Sequence, residues 1–165
     1  MQNLAMNNYI FSLAERNDVD EILDFYHSLV GTPGCTWNLD YPNRENVESD
    51  IHNDSLYMLR DKDNILISVA AAGMSDELEE LRWNMKNPCD LARIGVLSTR
   101  QNQGIGTIML CNVISAVKKR GFDGIRMLVS KSNPSALAMY DKDGFTKCGE
   151  AFMFDIDFFC YEMVF

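Results

Sequence analysis

The chain has 165 residues, 47% of them hydrophobic, and a formal net charge of -9. That length suits one domain, 1–165, with a real core, and no apolar run approaches the roughly 20 residues of a membrane-spanning helix, so no membrane partner is expected. The acid excess argues against nucleic acid as partner, because phosphate binding needs clustered Lys and Arg; it suits a cationic acceptor such as a free amine, and equally a surface kept soluble by charge.

Met1 to Asn8 carries neither a basic head nor an apolar segment, so it does not read as a signal peptide, and a soluble cytoplasmic protein is expected. Tyr9 to Leu13 reads as a first strand. Val19, Ile22, Leu23, Tyr26, Leu29 and Val30 recur at helical spacing, and Gly31 ends that helix. Thr32 to Asn43 is loop-like, with Pro33, Gly34 and Pro42, yet it holds the large aromatics Trp37 and Tyr41. Arg44 to His52 is a second, short helix. Leu56 to Arg60 and Ile65 to Ala72 are two strands joined by the turn Asp61-Lys62-Asp63-Asn64.

An acidic, turn-rich stretch runs from Ser75 to Pro88, and Leu91 to Leu97 is a fourth strand. Gly104 to Arg120 is a helix with Leu110, Val113, Ile114 and Val117 on one stripe; Lys118, Lys119 and Arg120 complement its negative end and Gly121 caps it. Ile125 to Ser130 is almost continuously apolar, as a central strand should be. Asn133-Pro134 opens a further helix, with Asn as N-cap and Pro at the first helical position, and Gly144 ends it. Phe145 to Phe154 and Phe158 to Phe165 are the last two strands. The order β-α-α-β-β-β-α-β-α-β-β predicts an α/β or α+β fold with a mixed sheet.

Cys35, Cys89, Cys111, Cys148 and Cys160 are odd in number, scattered and never in a C-x-x-C pair. They predict buried free thiols rather than a disulfide framework or a zinc site. His27 and His52 have no neighbouring metal-ligand pattern, so no metal is expected.

The run Gln101-Asn102-Gln103-Gly104-Ile105-Gly106 lies between an apolar strand and an amphipathic helix. It places backbone N–H groups at a helix N-terminus, where they lack partners and the helix dipole is positive, so an anion fits there. A P-loop would need a Lys after the glycine, but Thr107 follows Gly106. A dinucleotide fingerprint would need a third Gly where Met109 stands.

A third reading fits the residues. The strand ending at Val96, followed by Gln101-Asn102-Gln103-Gly104-Ile105-Gly106, resembles the coenzyme A motif of the GCN5-related N-acetyltransferase (GNAT) family. So does the second block, Asn133-Pro134-Ser135-Ala136-Leu137-Ala138-Met139-Tyr140-Asp141-Lys142-Asp143-Gly144-Phe145. The resemblance runs from Tyr9 to the C-terminus and is most specific from Leu91 to Phe145; Ser98 departs from the Pro that many members carry. It implies a mostly antiparallel sheet of about seven strands flanked by about four helices, with strands four and five splayed by a bulge.

It also implies acetyl-CoA as cosubstrate, with no metal. Gln101, Asn102, Gln103, Gly104, Ile105, Gly106 and Thr107 would cradle the pyrophosphate, and Gly104 and Gly106 would remove side chains so that the backbone can approach it. The backbone of Ile94, Gly95 and Val96 would line the notch for the pantetheine arm and the acetyl carbonyl, and Asn133 would touch the arm besides capping its helix. Tyr140 falls where the family places a tyrosine near the thioester sulfur, and a phenol can protonate a leaving thiolate; the alternative is that it packs on its helix and only orients the sulfur.

Asp90 falls six residues before Val96, where the histone-acetylating branch places its base; a solvated aspartate at a strand start is an equal alternative, and Glu79, Glu80 or water relay also remain open. Trp37, Asp40 and Tyr41 lie in the connection that forms one acceptor wall in the family, where aromatic faces and a carboxylate suit an amine; anchoring of the loop to the core is the competing role for the two aromatics. The resulting expectation is an acetyl-CoA-dependent N-acetyltransferase acting on a small-molecule or protein amine by direct attack. The competing readings are a non-catalytic acyl-CoA-binding or regulatory module, and a dimerising structural protein using Phe152, Phe154, Phe158, Phe159 and Phe165. Those phenylalanines are expected in the core, an arrangement that still permits a homodimer through edge-strand contact.

Overall fold

A computed structural model describes residues 8–165, so the reading of the amino terminus falls largely on residues 1–7, outside the described part. The elements follow the expected order: β1 (Tyr9–Leu13), α1 (Val19–Leu29), α2 (Arg44–His52), β2 (Leu56–Asp61), β3 (Leu66–Gly73), β4 (Pro88–Val96), α3 (Ile105–Lys119), β5 (Gly124–Ser130), α4 (Pro134–Lys142), β6 (Thr146–Met153) and β7 (Ile156–Val164). They form one seven-stranded sheet in the order β1-β2-β3-β4-β5-β7-β6. Every neighbouring pair is antiparallel except β4 and β5.

Two apolar layers hold the sheet. On one side Ile22, Phe25, Tyr26 and Leu29 of α1 and Val47 of α2 meet Leu56, Met58, Val69 and Ala71. On the other, Ile105, Met109, Leu110, Val113 and Val117 of α3 meet Leu59, Ile67, Ala70, Leu91 and Ile125. Burying each of the Leu, Ile, Val, Met and Phe side chains contributes about 1.5–3 kcal/mol relative to leaving it in water. The α3 stripe is rotated from the expected one, since Ile114 is only partly buried while Ile105 and Met109 join the core.

The strand ends differ from the sequence reading for local reasons. β4 starts at Pro88, because Pro88, Cys89 and Asp90 pair with Gly124, Ile125 and Arg126; proline is tolerated at a strand's first residue. The last hairpin turns at Phe154-Asp155, both left-handed (φ 55 and 58), with Met153 opposite Ile156. That two-residue turn needs φ > 0 at both positions and normally advertises itself with Asn-Gly. Here Phe154 hides it. Phe152 and Phe154 are consequently exposed, not in the core as expected, while Phe159 packs against it. All five cysteines are free; burial pushes the Cys89 thiol up to about 12, whereas Cys111 and Cys148 are exposed, against the expectation of burial.

Candidate active site

The site is made by the one parallel pair among the described strands. β4 and β5 are joined from Pro88↔Gly124 to Asp90↔Arg126 and no further. Past Asp90, β4 stays on β3 and leaves β5, so a gap opens between them. The cause is visible on the β3 side: Ala71 pairs with Ala92 and Val69 with Gly95, so Ala70 faces two residues, Arg93 and Ile94. This is a β-bulge, and a bulge bends its strand and increases the local twist. Arg93 takes the left-handed conformation at the bulge, with φ 49.

Beyond the bulge the strand presents unpaired backbone to the gap. The Gly95 carbonyl points to β3, where Ser68 Oγ donates to it at 2.7 Å, and the Leu97 N–H bonds to the Ile67 carbonyl at 2.9 Å. By alternation, Ile94 and Val96 direct their polar groups into the gap. Gln101 Nε2 donates to the Val96 carbonyl at 3.1 Å, so this glutamine ties the following loop to the strand end. Gln103 Nε2 likewise donates to the Thr99 carbonyl at 3.2 Å, and Gln103 does not line the cleft.

The N-terminus of α3 closes one end of the gap. Gly104 is its N-cap at φ 79, and a Cβ there would meet nothing within 4 Å, so the residue is needed for its backbone conformation and faces open space. Gly106 has another reason: a Cβ would lie 2.7 Å from Met139 Sδ, so the missing side chain makes room for α4. Thr107 Oγ1 is spent on Asp143 Oδ2 at 2.8 Å. The first N–H groups of α3 remain for an anion, with no acidic residue in the first turn. Asn133 caps α4, its Oδ1 accepting from the Ala136 N–H at 3.2 Å, and lines the same cleft.

Tyr140 lies on α4, 3% exposed, edge-on to Phe145 at 5.5 Å. Its hydroxyl has no hydrogen-bond partner among the described residues, and burial, with Asp143 nearby, pushes its pKa above the ordinary phenol value. The phenol is therefore neutral at physiological pH. Trp37 and Tyr41 both line the cleft from the α1–α2 connection, and Trp37 packs edge-on against Tyr26 at 5.2 Å. Asp40 does not line it; it is exposed, its N–H bonded to Asn38 Oδ1 at 2.8 Å.

Asp90 is not a solvated strand-start aspartate. It is buried and ion-paired with Arg126 of β5, which also donates to the Ser75 carbonyl at 3.1 Å. Burial raises the Asp90 carboxyl above its ordinary value, and Arg126 opposes that shift. The pair sits where β4 and β5 part.

Two groups lining the cleft went unnoticed in the sequence, Arg93 and Asp50, as did the site role of Tyr26, which is buried behind them. Arg93 is a charge inside an apolar strand, which should have signalled a buried partner. Together these residues enclose a cleft of about 1500 Å³ running from the α3 N-terminus through the gap to the α1–α2 connection.

A long cleft with an anion site at one end and unpaired strand edges along it is a site for an extended, phosphate-bearing ligand. Residues 18–145 match the model of the Acetyltransferase (GNAT) family, and the chain belongs to that family. A GNAT-family acetyltransferase from Streptococcus agalactiae superposes with TM-score 0.78 at 19% identity, covering 95% of each chain. The ribosomal-protein-S18-alanine N-acetyltransferase of Escherichia coli gives 0.72 at 18%, covering 94% of this chain and 93% of that one. The PaiA N-acetyltransferase of Thermoplasma acidophilum, in complex with coenzyme A, gives 0.74 at 16%, covering 95% and 99%. No curated protein matches the chain in sequence.

Proposed function

We propose that this protein transfers the acetyl group of acetyl-CoA to a primary amine, of a small molecule or a protein, by direct attack within a ternary complex. The observation that carries the reading is the β4–β5 gap with the α3 N-terminus at its end. Acetyl-CoA supplies a thioester whose carbonyl carbon an amine can attack and whose thiolate can leave. The N–H groups from Gly104 to Thr107 hold the pyrophosphate, with Gln101 and Asn102 shaping the loop before them. The Ile94 and Val96 backbone groups pair with the amides of the pantetheine arm, and Asn133 contacts it with the amide nitrogen its capping role leaves free.

As the C–N bond forms and the C–S bond breaks, Tyr140 gives its phenolic proton to the thiolate and is reprotonated from water once the thiol has left. Trp37 and Tyr41 form the acceptor wall. The ion pair with Arg126 supports a structural role for Asp90 over proton acceptance, so the amine proton leaves through water at the open end of the cleft. Cys35 lines the cleft, but burial raises its thiol above the ordinary value, so direct attack by the amine is favoured over a covalent enzyme intermediate. Thiol release from acetyl-CoA against a panel of amines tests the reading: release that depends on an amine supports it. Tight acetyl-CoA binding with no release from any amine would favour the non-catalytic module instead.

A further inference from the structure

Arg93 is an unusual residue for its position. The first residue of this type of bulge is left-handed, a conformation that glycine adopts freely and side chains disfavour. Arginine holds the place here because three residues hold arginine. Asp50 of α2 accepts from Nε at 3.1 Å and from Nη2 at 2.8 and 2.7 Å. Tyr41 Oη accepts from Nη1 at 3.2 Å. Tyr26 Oη donates to the Arg93 carbonyl at 3.2 Å, turning that carbonyl away from the ladder and toward α1. Tyr26 is fully buried and carries Trp37 on its ring edge.

The elements that meet at this guanidinium border the reaction space from both sides. On the donor side the bulge aims the backbone polar groups of Ile94 and Val96 into the gap. On the acceptor side the same side chain holds Tyr41 directly, and Tyr26 supports Trp37. The Arg93 and Asp50 side chains are each 15% exposed, so the pair is shielded from competing water.

We propose that Arg93, gripped by Asp50, Tyr26 and Tyr41, is a positioning residue for acetyl transfer: it fixes the donor strand and the acceptor wall relative to each other. A glycine could supply the bulge alone; only a long, forked cation can supply it and reach α2 and the connection as well. The kinetic consequence rests on the acetyl-transfer reading. The mechanical one does not.

The test uses two variants of the whole chain. Asp50→Asn removes the counter-charge, and Tyr26→Phe removes one hydroxyl from an otherwise unchanged core, which covers the case that the first fails to fold. In both, backbone amide exchange over residues 93–97 and 37–41 should rise together by about threefold to tenfold, while residues 108–113 of α3 stay as in the wild type. With saturating acetyl-CoA, kcat/KM for the amine should fall by about tenfold to a hundredfold, with acetyl-CoA affinity changed far less. Exchange unchanged at the two segments, or raised evenly along the chain, overturns the proposal. An inactive wild type would count against acetyl transfer alone, since the exchange measurement still decides whether the grip exists.

Discussion

Replacing Asp90 by Asn separates a structural carboxylate from a catalytic one. Asp90 and Arg126 keep 8% and 6% of their side-chain accessibility, so neither can turn to water when the other is lost. Asparagine preserves shape and one acceptor but leaves the guanidinium without its counter-charge. Breaking a buried pair this way costs about 3–5 kcal/mol. Arg126 retains its bond to the Ser75 carbonyl and its place 5.8 Å from the Trp83 ring centroid, so the lower end of that range is expected. At about 2–4 °C per kcal/mol for a domain of this size, Tm should fall by about 6–12 °C.

A general base, by contrast, would cost about 10²–10⁴ in kcat when removed. Thermal unfolding followed by circular dichroism gives the first quantity, and initial rates well below the lowered Tm give the second. The structural account predicts a large fall in Tm with kcat within about threefold of wild type, too small for a lost base. An unchanged Tm with kcat reduced a hundredfold would refute it and return the base to Asp90.

Tyr140→Phe should lower kcat by about a hundredfold with little change in acetyl-CoA affinity, because its hydroxyl has no partner among the described residues to release; an unaltered kcat would remove the acid role. Gly104→Ala should cost about 1–2 kcal/mol through the backbone alone, since its Cβ meets nothing. Gly104→Asn should recover part of that stability in a denaturant titration, and equal losses for both would point to a steric cause. Asp61 is held below the ordinary aspartate range by the N–H of Ile65, with Asp63 and Arg100 assisting. Its folded-state pKa is depressed, so its contribution is present above about pH 4 and is lost as the pH falls through the folded value. The stability gap between wild type and Asp61→Asn should therefore shrink on acidification; parallel pH profiles would contradict it.

What the sequence made legible was what local rules encode. The N-cap at Asn133, the glycine at 104 and the Asp61 to Asn64 turn each write their geometry into neighbouring residues, and the helix and strand order follows from periodicity. The two family motifs added the splayed pair, which periodicity does not contain. What stayed hidden depends on partners far along the chain. Asp90 is a surface-like residue until Arg126, on another strand, arrives beside it. Arg93 and Asp50 lie on different elements, and no spacing rule links them. Gln101 and Gln103 belong to the pyrophosphate motif, yet Gln101 spends an amide N–H on the strand-end Val96 carbonyl and Gln103 on that of Thr99. Phe154 in a left-handed turn defeated the rule that such turns contain glycine or asparagine.

In the proposed complex acetyl-CoA lies in the β4–β5 gap with its pyrophosphate on the α3 N-terminus. Amide hydrogen exchange with and without saturating acetyl-CoA tests this most directly. Protection should appear at residues 94 and 96 and at residues 104–107, whose N–H groups face the cleft, while β1 and β2 stay unchanged. Binding that leaves both segments exchanging as in the free protein would contradict the claim.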